Sequence, residues 1–276
     1  MAQDSTSPLA QPPRPNGKSD TEGLEIADTQ GHARSVLDLA RRANAPAQRT
    51  ISILQAGSQR AYQVTRYGWG EIPTPYGEFQ QLAFRVDDQW HDYHCLVKAE
   101  RWTEDFQPVF CRPDNLLLRL DSTCIGGTVF GATDCDCRAQ LIKAEEEIAR
   151  NGEGVIVHIG GQDGRGKGTG FKCATQILQK RLDYNTVEAA RALAGGPEID
   201  VRTYGGAVAV LKFLLGQEPV AGFALLSGNP RKAAALSENG YTTTLHPPQV
   251  VPTPLTIRHL QAKARLLYHL VPCVTL

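Results

Sequence analysis

The chain has 276 residues, and its 29 basic side chains (Lys and Arg) balance its 29 acidic ones (Asp and Glu), so the formal charge is zero. This length suits one large domain or two small ones, and the lack of a basic excess argues against non-specific binding to nucleic acid or to anionic membranes. The sequence has no apolar run of membrane-spanning length, and its seven cysteines are an odd number, which argues against a complete disulfide framework. The first residues lack the features of a signal peptide, so we expect a cytoplasmic protein.

The composition changes along the chain and predicts three regions. Residues 1–22 are rich in Pro, Ser, Gln and Asp, which predicts a disordered tail. Residues 23–69 form an N-terminal extension, with a helix predicted over Ala33–Ala45 and short strands within 51–56 and 61–69. Residues 70–276 are expected to form the main domain, which ends in an amphipathic helix over 257–271.

The main domain is predicted to be α+β, with antiparallel strands early and then mixed β-α segments around a central sheet. Alternating apolar and polar residues predict half-buried strands within 73–86, 91–100 and 114–120. The segments that follow predict a helix that stops at Gly152, a buried strand over 154–159, a helix over about 171–181, a helix over 206–216, a strand over 222–227 and a helix over 229–240. Asn229 is the expected cap of this last helix, with Pro230 at its first position.

Cys124, Cys135 and Cys137 form a C-x10-C-x-C array before the first of these helices. Clustered thiols in a chain without a secretion signal are typical of a zinc site, and three protein ligands leave a fourth position for a water that the metal acidifies. No fourth ligand is evident nearby. The alternative is that Cys135 and Cys137 flank a turn while Cys124 is a small buried hydrophobic residue, and these residues alone leave both interpretations open.

The second motif is the loop GGQDGRGKGTG, residues 160–170, between a buried strand and a helix. Backbone amides and the positive end of a helix can hold phosphate there, and Arg165 and Lys167 would add charge. The loop nearly matches the Walker G-x4-G-K pattern, but Gly168 stands where Ser or Thr must hold magnesium, which argues against an ordinary ATPase or GTPase. A flexible, solvated loop is the alternative.

Two further segments bring charged or polar side chains together. Asp200 and Arg202 are two positions apart, so on an extended backbone they face the same side. The pair could provide proton transfer and phosphate contact, or it could be an ordinary salt bridge. Ser227 and Lys232 flank the start of a predicted helix, which suits an anion, although capping with solvated charges explains them equally well.

In combination, these motifs resemble the GTP cyclohydrolase II family. PTPYGEF, the three cysteines with TVFG between them, CDCRAQL, QDGRGKG, YNTVEA, DVR and NPRK occur in the family's order between about Gly70 and Gln249. The resemblance implies an α+β homodimer that holds one Zn²⁺ per subunit and needs Mg²⁺ with the nucleotide phosphates. It further implies opening of the imidazole ring of GTP, with release of formate and pyrophosphate, in riboflavin or specialised-metabolite biosynthesis.

Carried over by position, the resemblance implies a role for each matching residue. Cys124, Cys135 and Cys137 would be the zinc ligands, Asp200 the proton acceptor, and Arg202 the group that engages the α-phosphorus. The implied nucleotide contacts are Arg119, Ser122, Thr123, Gln140, Asp163, Gly164, Arg165, Gln176, Thr186, Ser227 and Lys232.

Three of these positions depart from the family pattern. Thr123 and Asp163 each stand where Glu is usual, and Gln176 replaces a Tyr that lies close to the base. Members without that Tyr are expected to stop after ring opening and to leave the formyl group in place. The base and the final product therefore stay open. The alternatives are a related zinc hydrolase acting on another nucleotide, for example a pyrimidine nucleotide, and a catalytically silent nucleotide-binding paralogue.

Overall fold

The computed structural model describes residues 25–87, 89–216 and 220–272, so the predicted tail over 1–22 lies outside the described residues. The chain divides into two compact units, residues 1–41 and 42–276. Helix α1 (Glu25–Asn44) begins in the first unit. The helix predicted over Ala33–Ala45 is therefore present, and it starts earlier than the apolar spacing indicated.

The second unit is built on a sheet of eight strands among the described residues, in the order β1-β2-β3-β4-β8-β7-β9-β10. These strands are β1 (Ala47–Gln55), β2 (Ser58–Thr74), β3 (Gly77–Val86), β4 (Tyr93–Lys98), β7 (Leu116–Ser122), β8 (Gly154–Ile159), β9 (Gly222–Leu225) and β10 (Thr242–Leu245). Strands β5 (Arg101–Trp102) and β6 (Pro108–Val109) form a separate ribbon. Pairing is antiparallel from β1 through β4 to β8 and parallel among β8, β7, β9 and β10. The predicted α+β class, with antiparallel strands early, is confirmed.

The helices of this unit are α2 (Ile125–Thr128), α3 (Cys137–Asn151), α4 (Thr169–Leu182), α5 (Thr186–Ala194), α6 (Gly205–Leu215), α7 (Pro230–Ser237) and α8 (Ile257–Leu267). Helix α3 ends at Gly152, whose φ of 87° is left-handed, as predicted. The Asn229 side chain caps α7 by accepting from the Arg231 amide at 3.0 Å, and Pro230 follows it, also as predicted.

Three predictions about the elements were incomplete or wrong. Helix α5 and strand β10 were not predicted, because both are short, with nine and four residues, and short segments give a weak periodic signal. The segment over 73–86 is two strands joined by a turn, since β2 ends at Thr74 and β3 begins at Gly77. Helix α8 ends at Leu267 instead of continuing to residue 271, because Tyr268 adopts a left-handed backbone with φ of 56°.

The core lies on both faces of the sheet. Helix α6 is buried along its length against one face, and Ala144 and Ile148 of α3 pack on the other face beside Phe79. Strand β8 lies between these layers, so its apolar run is continuous: Val155 and Val157 point to one layer and Ile156 to the other.

Strands β7, β8 and β9 are parallel, so their carboxyl ends meet at one edge of the sheet. The segments over 123–137, 160–168 and 226–229 follow these ends. In sheets of this kind, the edge at the carboxyl ends of the strands is where ligands usually bind. None of the described helices combines the length and apolar character that a membrane crossing requires.

Candidate functional site

A pocket of about 210 Å³ lies at this edge of the sheet. It brings together every residue that the resemblance assigned except Asp200, which is not part of the lining. The assigned residues that line it are Arg119, Ser122, Thr123, Cys124, Cys135, Cys137, Gln140, Asp163, Gly164, Arg165, Gln176, Thr186, Arg202, Ser227 and Lys232.

The three thiols form a cluster on the pocket wall. Cys124 follows β7, Cys137 begins α3, and the Sγ atoms of Cys124 and Cys135 lie 3.6 Å apart. All three Sγ atoms lie within 4.8 Å of one another. A tetrahedral metal with metal–sulfur bonds of about 2.3 Å separates its sulfurs by about 3.8 Å, so the thiols fit such an ion. Gly127 leaves room for them, because a Cβ there would lie 2.6 Å from Cys135 Sγ.

Hydrogen bonds within the cluster favour one thiolate. The thiols of Cys135 and Cys137, followed by the Lys172 ammonium, lower the pKa of Cys124, and Lys172 Nζ lies 2.7 Å from its Sγ. The hydrogen bonds to Cys124 raise the pKa of Cys135 and of Cys137, because these two thiols keep their protons as donors. A metal binds thiolates, so a divalent cation would displace the remaining protons. The donor set and its charge therefore suit a soft divalent ion.

A buried ion pair supports the cysteine segment and was not anticipated from the sequence. Asp136 lies between two of the cysteines, and Lys263 of α8 contacts its Oδ1 at 2.9 Å. Burial alone would raise the pKa of Asp136, but Lys263 outweighs burial and lowers the pKa to about 2. Gln140 also donates a hydrogen bond to this carboxylate. The segment is thus tied to a helix that follows it by more than a hundred residues of chain.

Arg165 is the strongest candidate in the glycine-rich loop for binding an anion. Its backbone is left-handed, with φ of 62°, a strained conformation for a non-glycine residue. One guanidinium nitrogen, Nη2, donates to Thr186 Oγ1 at 3.0 Å, whereas Nη1 is buried without a hydrogen-bond partner among the described residues. Burial and then the nearby Arg202 lower the pKa of Arg165 to about 10. An unpaired buried donor on a pocket wall is suited to a phosphate oxygen.

The neighbouring Asp163 has a supporting position. It is buried, accepts from the Ile125 amide at 3.2 Å and lies 3.4 Å from Lys172 Nζ. These contacts join the glycine-rich loop to the segment that follows Cys124. Ser122 reaches the same loop, since its hydroxyl donates to Gln162 Oε1 at 2.6 Å.

Lys232 is buried near the start of α7, where Nζ donates to the Leu120 carbonyl at 2.6 Å. Burial, followed by the charges of Arg119 and Arg202, lowers the pKa of Lys232 to about 7 from its ordinary value of 10.5. The folded protein therefore binds this proton less well than the unfolded chain does. Burial of Lys232 therefore lowers the free energy of unfolding by its full amount below about pH 7. This loss of stability disappears as the pH rises toward the pKa that Lys232 has in the unfolded chain.

Lys232→Met is consequently expected to raise the melting temperature of the ligand-free protein by a few degrees at pH 6, and by less at pH 9. The variant should also bind phosphate compounds more weakly, because a cation on the pocket wall is lost. Calorimetric melting at both pH values and pyrophosphate titration measure these effects. Lys143→Met, at a half-buried lysine of α3 outside the pocket lining, is the control. A Lys232→Met protein that is less stable at pH 6 would contradict the interpretation.

Asp200 and Arg202 form a salt bridge with two contacts: Nη2 to Oδ2 at 2.6 Å and Nε to Oδ1 at 2.9 Å. Arg231 also contacts Asp200 Oδ1, at 3.1 Å. Burial raises the pKa of Asp200, but the hydrogen bond and charge of Arg202 outweigh this effect and lower the pKa to about 2. A carboxylate held in this way is a weak base until its partner moves.

Sequence reasoning also missed a network of ion pairs and hydrogen bonds that joins β7 to β8. Arg119 contacts Asp121 Oδ1 at 2.7 Å, and Asp121 Oδ2 lies 2.8 Å from His158 Nδ1. His158 Nε2 lies 3.4 Å from the Thr123 hydroxyl. Asp121 and His158 are paired positions on β7 and β8, so the strand order would have revealed the contact.

Gln176, another of the assigned residues, donates a hydrogen bond from its side-chain amide to Asp134 Oδ2 at 2.8 Å.

The fold is α+β, and the site places a cluster of three cysteines on the wall of a pocket that several cationic side chains also line. The family model for GTP cyclohydrolase II matches residues 67–246, and the chain belongs to this family of hydrolases. The family predicted from the motifs is confirmed. The roles of individual residues stay predictions.

Two curated relatives show how far the similarity extends. RibBA, a riboflavin biosynthesis protein of Aquifex aeolicus, is 33% identical over 243 residues, which cover 88% of this chain and 56% of the relative. GTP cyclohydrolase-2 of Streptomyces coelicolor is 32% identical over 223 residues, which cover 80% of this chain and 93% of that protein. The chain thus spans about half of the first relative and nearly all of the second.

Among solved structures, RibBX of A. baumannii, a two-domain 3,4-dihydroxy-2-butanone 4-phosphate synthase, shares 20% identity over 80% of this chain and 50% of that chain. The TM-score is 0.35, and a similarity this low carries no argument about the fold or the function.

Proposed function

We propose that the protein is a zinc-dependent cyclohydrolase that opens the imidazole ring of GTP by hydrolysis. The observation that carries the proposal is the pocket itself, in which the three thiols share a wall with the unpaired Arg165 Nη1 and the buried Lys232. The relative named GTP cyclohydrolase-2, of which the chain covers 93%, supports GTP as the substrate.

Cys124, Cys135 and Cys137 would hold the zinc ion. Held by these three thiolates, a zinc ion would supply an acidified water for hydrolysis near neutral pH. Lys172, at 2.7 Å from Cys124 Sγ, and Lys263, paired with Asp136, place positive charge beside the thiolates. These lysines would stabilise the anionic form of the cluster in which the metal is held.

The cationic side of the pocket would bind the triphosphate together with Mg²⁺. Arg119, Arg165, Arg202 and Lys232 line one pocket, where burial and then repulsion between the cations lower the pKa of Arg165 and of Lys232. A polyanion would relieve this repulsion, and the cations would already be in position when it arrived. Mg²⁺ would be bound mainly through the phosphates, as is usual for nucleotide enzymes.

Arg202 links phosphate binding to proton transfer in this proposal. When its guanidinium turns toward a phosphate, Asp200 loses the partner that contributes most to its low pKa, and only the weaker contact with Arg231 is left. The pKa of Asp200 then rises, and the carboxylate becomes a better proton acceptor. Substrate binding would therefore activate the base.

Gln176 favours a second form of the activity, in which the ring opens but the formyl group is retained. The side chain lines the pocket, and its amide donates to Asp134, so this position offers an amide instead of a phenol. An amide cannot supply the proton transfer that a phenol can.

The experiment that tests the proposal is incubation of the reduced, zinc-loaded protein with Mg²⁺ and each nucleoside triphosphate and monophosphate, followed by mass spectrometry. Separate assays measure formate and pyrophosphate. A ring-opened product from GTP supports the proposal, and the formate assay decides between the two forms. Turnover of a pyrimidine nucleotide alone would support the related-hydrolase alternative. Binding of zinc without change to any nucleotide would support a silent paralogue.

Gln176→Tyr is expected to increase the yield of formate per ring opened, because the phenol restores a group that can donate and accept a proton beside the guanine of the substrate. Gln176→Phe is the matched control, since it has the ring without the hydroxyl. The ratio of formate to opened ring in a single-turnover experiment measures the effect. An equal ratio in both variants and the wild type would contradict the assignment.

A homodimer and a cytoplasmic location complete the proposal. The described cysteines are unpaired thiols, and a reducing compartment keeps thiols available for metal. Light scattering of the purified protein measures the oligomeric state.

A further inference from the structure

The segment that follows the family match builds part of the pocket. The match ends at residue 246, whereas the lining includes residues from Pro247 through Pro272. Among these are His259, Lys263 and His269, together with apolar side chains such as Leu270. The site is therefore incomplete without residues 247–272.

Three sets of contacts hold this segment in place. Helix α8 packs through Ala262 and Leu267 against Val187 and Ala190 of α5. Lys263 pairs with the buried Asp136 of the cysteine segment at 2.9 Å. Beyond the helix, the Leu270 amide donates to the Gly228 carbonyl at 2.8 Å. The residues after α8 are thereby attached to the loop that precedes α7.

Gly228 allows an unusually close approach at this attachment. A Cβ on Gly228 would lie 1.9 Å from the Leu270 carbonyl oxygen, which is an impossible contact. Its φ is outside the left-handed range that favours glycine, so the requirement comes from the neighbouring backbone alone. Gly228 follows Ser227 and lies just before α7, which carries Lys232, so the attachment is next to two of the residues assigned to the nucleotide.

His269 lies on the pocket side of this attachment and near the phosphate-binding cations. Its ring has no hydrogen-bond partner among the described residues, and Arg202 and Lys232 are close enough to act on it electrostatically. Burial, and then Lys263, Arg202 and Lys232, lower the pKa of His269 to about 3, so the imidazole is neutral at pH 7. A neutral imidazole can donate one N–H to an anion without adding to the repulsion among the cations.

We propose that residues 269–272 form the wall that closes the phosphate end of the nucleotide site, and that His269 donates a hydrogen bond to a phosphate oxygen. This inference rests on the proposed function, because it specifies how the same site holds its nucleotide. The wall would also exclude water from the phosphates, which strengthens their attraction to the surrounding cations. His269 is then a substrate-binding residue outside the region that defines the family.

The test is calorimetric titration of the full, zinc-loaded protein with magnesium pyrophosphate and with magnesium GTP. His269→Ala is expected to weaken both affinities by about tenfold or more, the usual scale for a lost hydrogen bond to a charged group. His269→Gln keeps an N–H donor and should recover part of the loss. His246→Ala, at an exposed histidine outside the pocket lining, is the matched control and should bind as the wild type does.

Gly228→Ala provides a second test, because the added methyl group must displace Leu270. We expect faster hydrogen exchange at the Leu270 amide together with weaker pyrophosphate binding. Unchanged affinity in His269→Ala, or faster exchange in Gly228→Ala with unchanged affinity, would overturn the inference and leave the proposed function standing. A wild-type protein that binds neither ligand would contradict the nucleotide function, and this inference with it.

Discussion

Cys135→Ser is expected to remove most of the bound zinc and to lower kcat/KM for GTP by about three orders of magnitude. The three Sγ atoms lie within 4.8 Å of one another, so all three can bind one metal ion. A serine hydroxyl is a poor substitute for one of these thiolate ligands. Metal analysis of the purified protein and the rate of GTP consumption measure the two effects.

Cys173→Ser is the matched control for this change. Cys173 is exposed on α4 and is not part of the pocket lining, so its replacement should leave zinc content and rate unchanged. A Cys135→Ser protein that keeps a full equivalent of zinc and normal activity would favour the alternative interpretation, in which the three cysteines are packing residues.

Arg202→Lys should lower kcat for GTP by about a hundredfold or more, although the charge is kept. The guanidinium makes two contacts with Asp200, and we propose that it exchanges this partner for phosphate during the reaction, which an ammonium cannot do with the same geometry. Steady-state rates of pyrophosphate release and of ring opening measure the loss. Arg231→Lys, at a half-exposed arginine that also contacts Asp200 but lies outside the pocket lining, should cost much less. Equal losses in the two variants would indicate a purely structural role for Arg202.

The salt bridge between Asp200 and Arg202 makes the stability of the fold depend on pH. The pKa of Asp200 is lowered to about 2 in the folded protein from an ordinary value of 3.8, so its pairing stabilises the fold above about pH 4 and is lost as the pH falls toward 2. Arg202→Lys should therefore differ most from the wild type in unfolding free energy near neutral pH. The two proteins should converge in acid.

Local patterns predicted those parts of the structure that depend on neighbouring residues. The GVIVHI run became β8 because that strand is buried on both faces, and Asn229 and Pro230 began α7 because capping needs only adjacent atoms. The C-x10-C-x-C spacing likewise indicated the thiol cluster, since Cys124 follows β7 and Cys137 begins α3.

Contacts between segments that are distant in the chain could not be predicted from local sequence patterns. His158 meets Asp121 only because β8 lies next to β7 in the sheet. Lys263 and His269 reach the pocket only because α8 packs on α5, and their sequence surroundings resemble any amphipathic helix. The salt bridge between Asp200 and Arg202 was one of two interpretations of their spacing, and the distances alone show that it forms in this structure.

We propose that this pocket uses bound zinc to open the imidazole ring of GTP. The most direct measurement is a mass-spectrometric time course of GTP with the zinc-loaded protein and with the same preparation after chelation. We predict a ring-opened product, with or without its formyl group, that forms only with the zinc-loaded protein and returns when zinc is restored. GTP that stays unchanged beside a protein holding a full equivalent of zinc, under reducing conditions with Mg²⁺, would contradict the account.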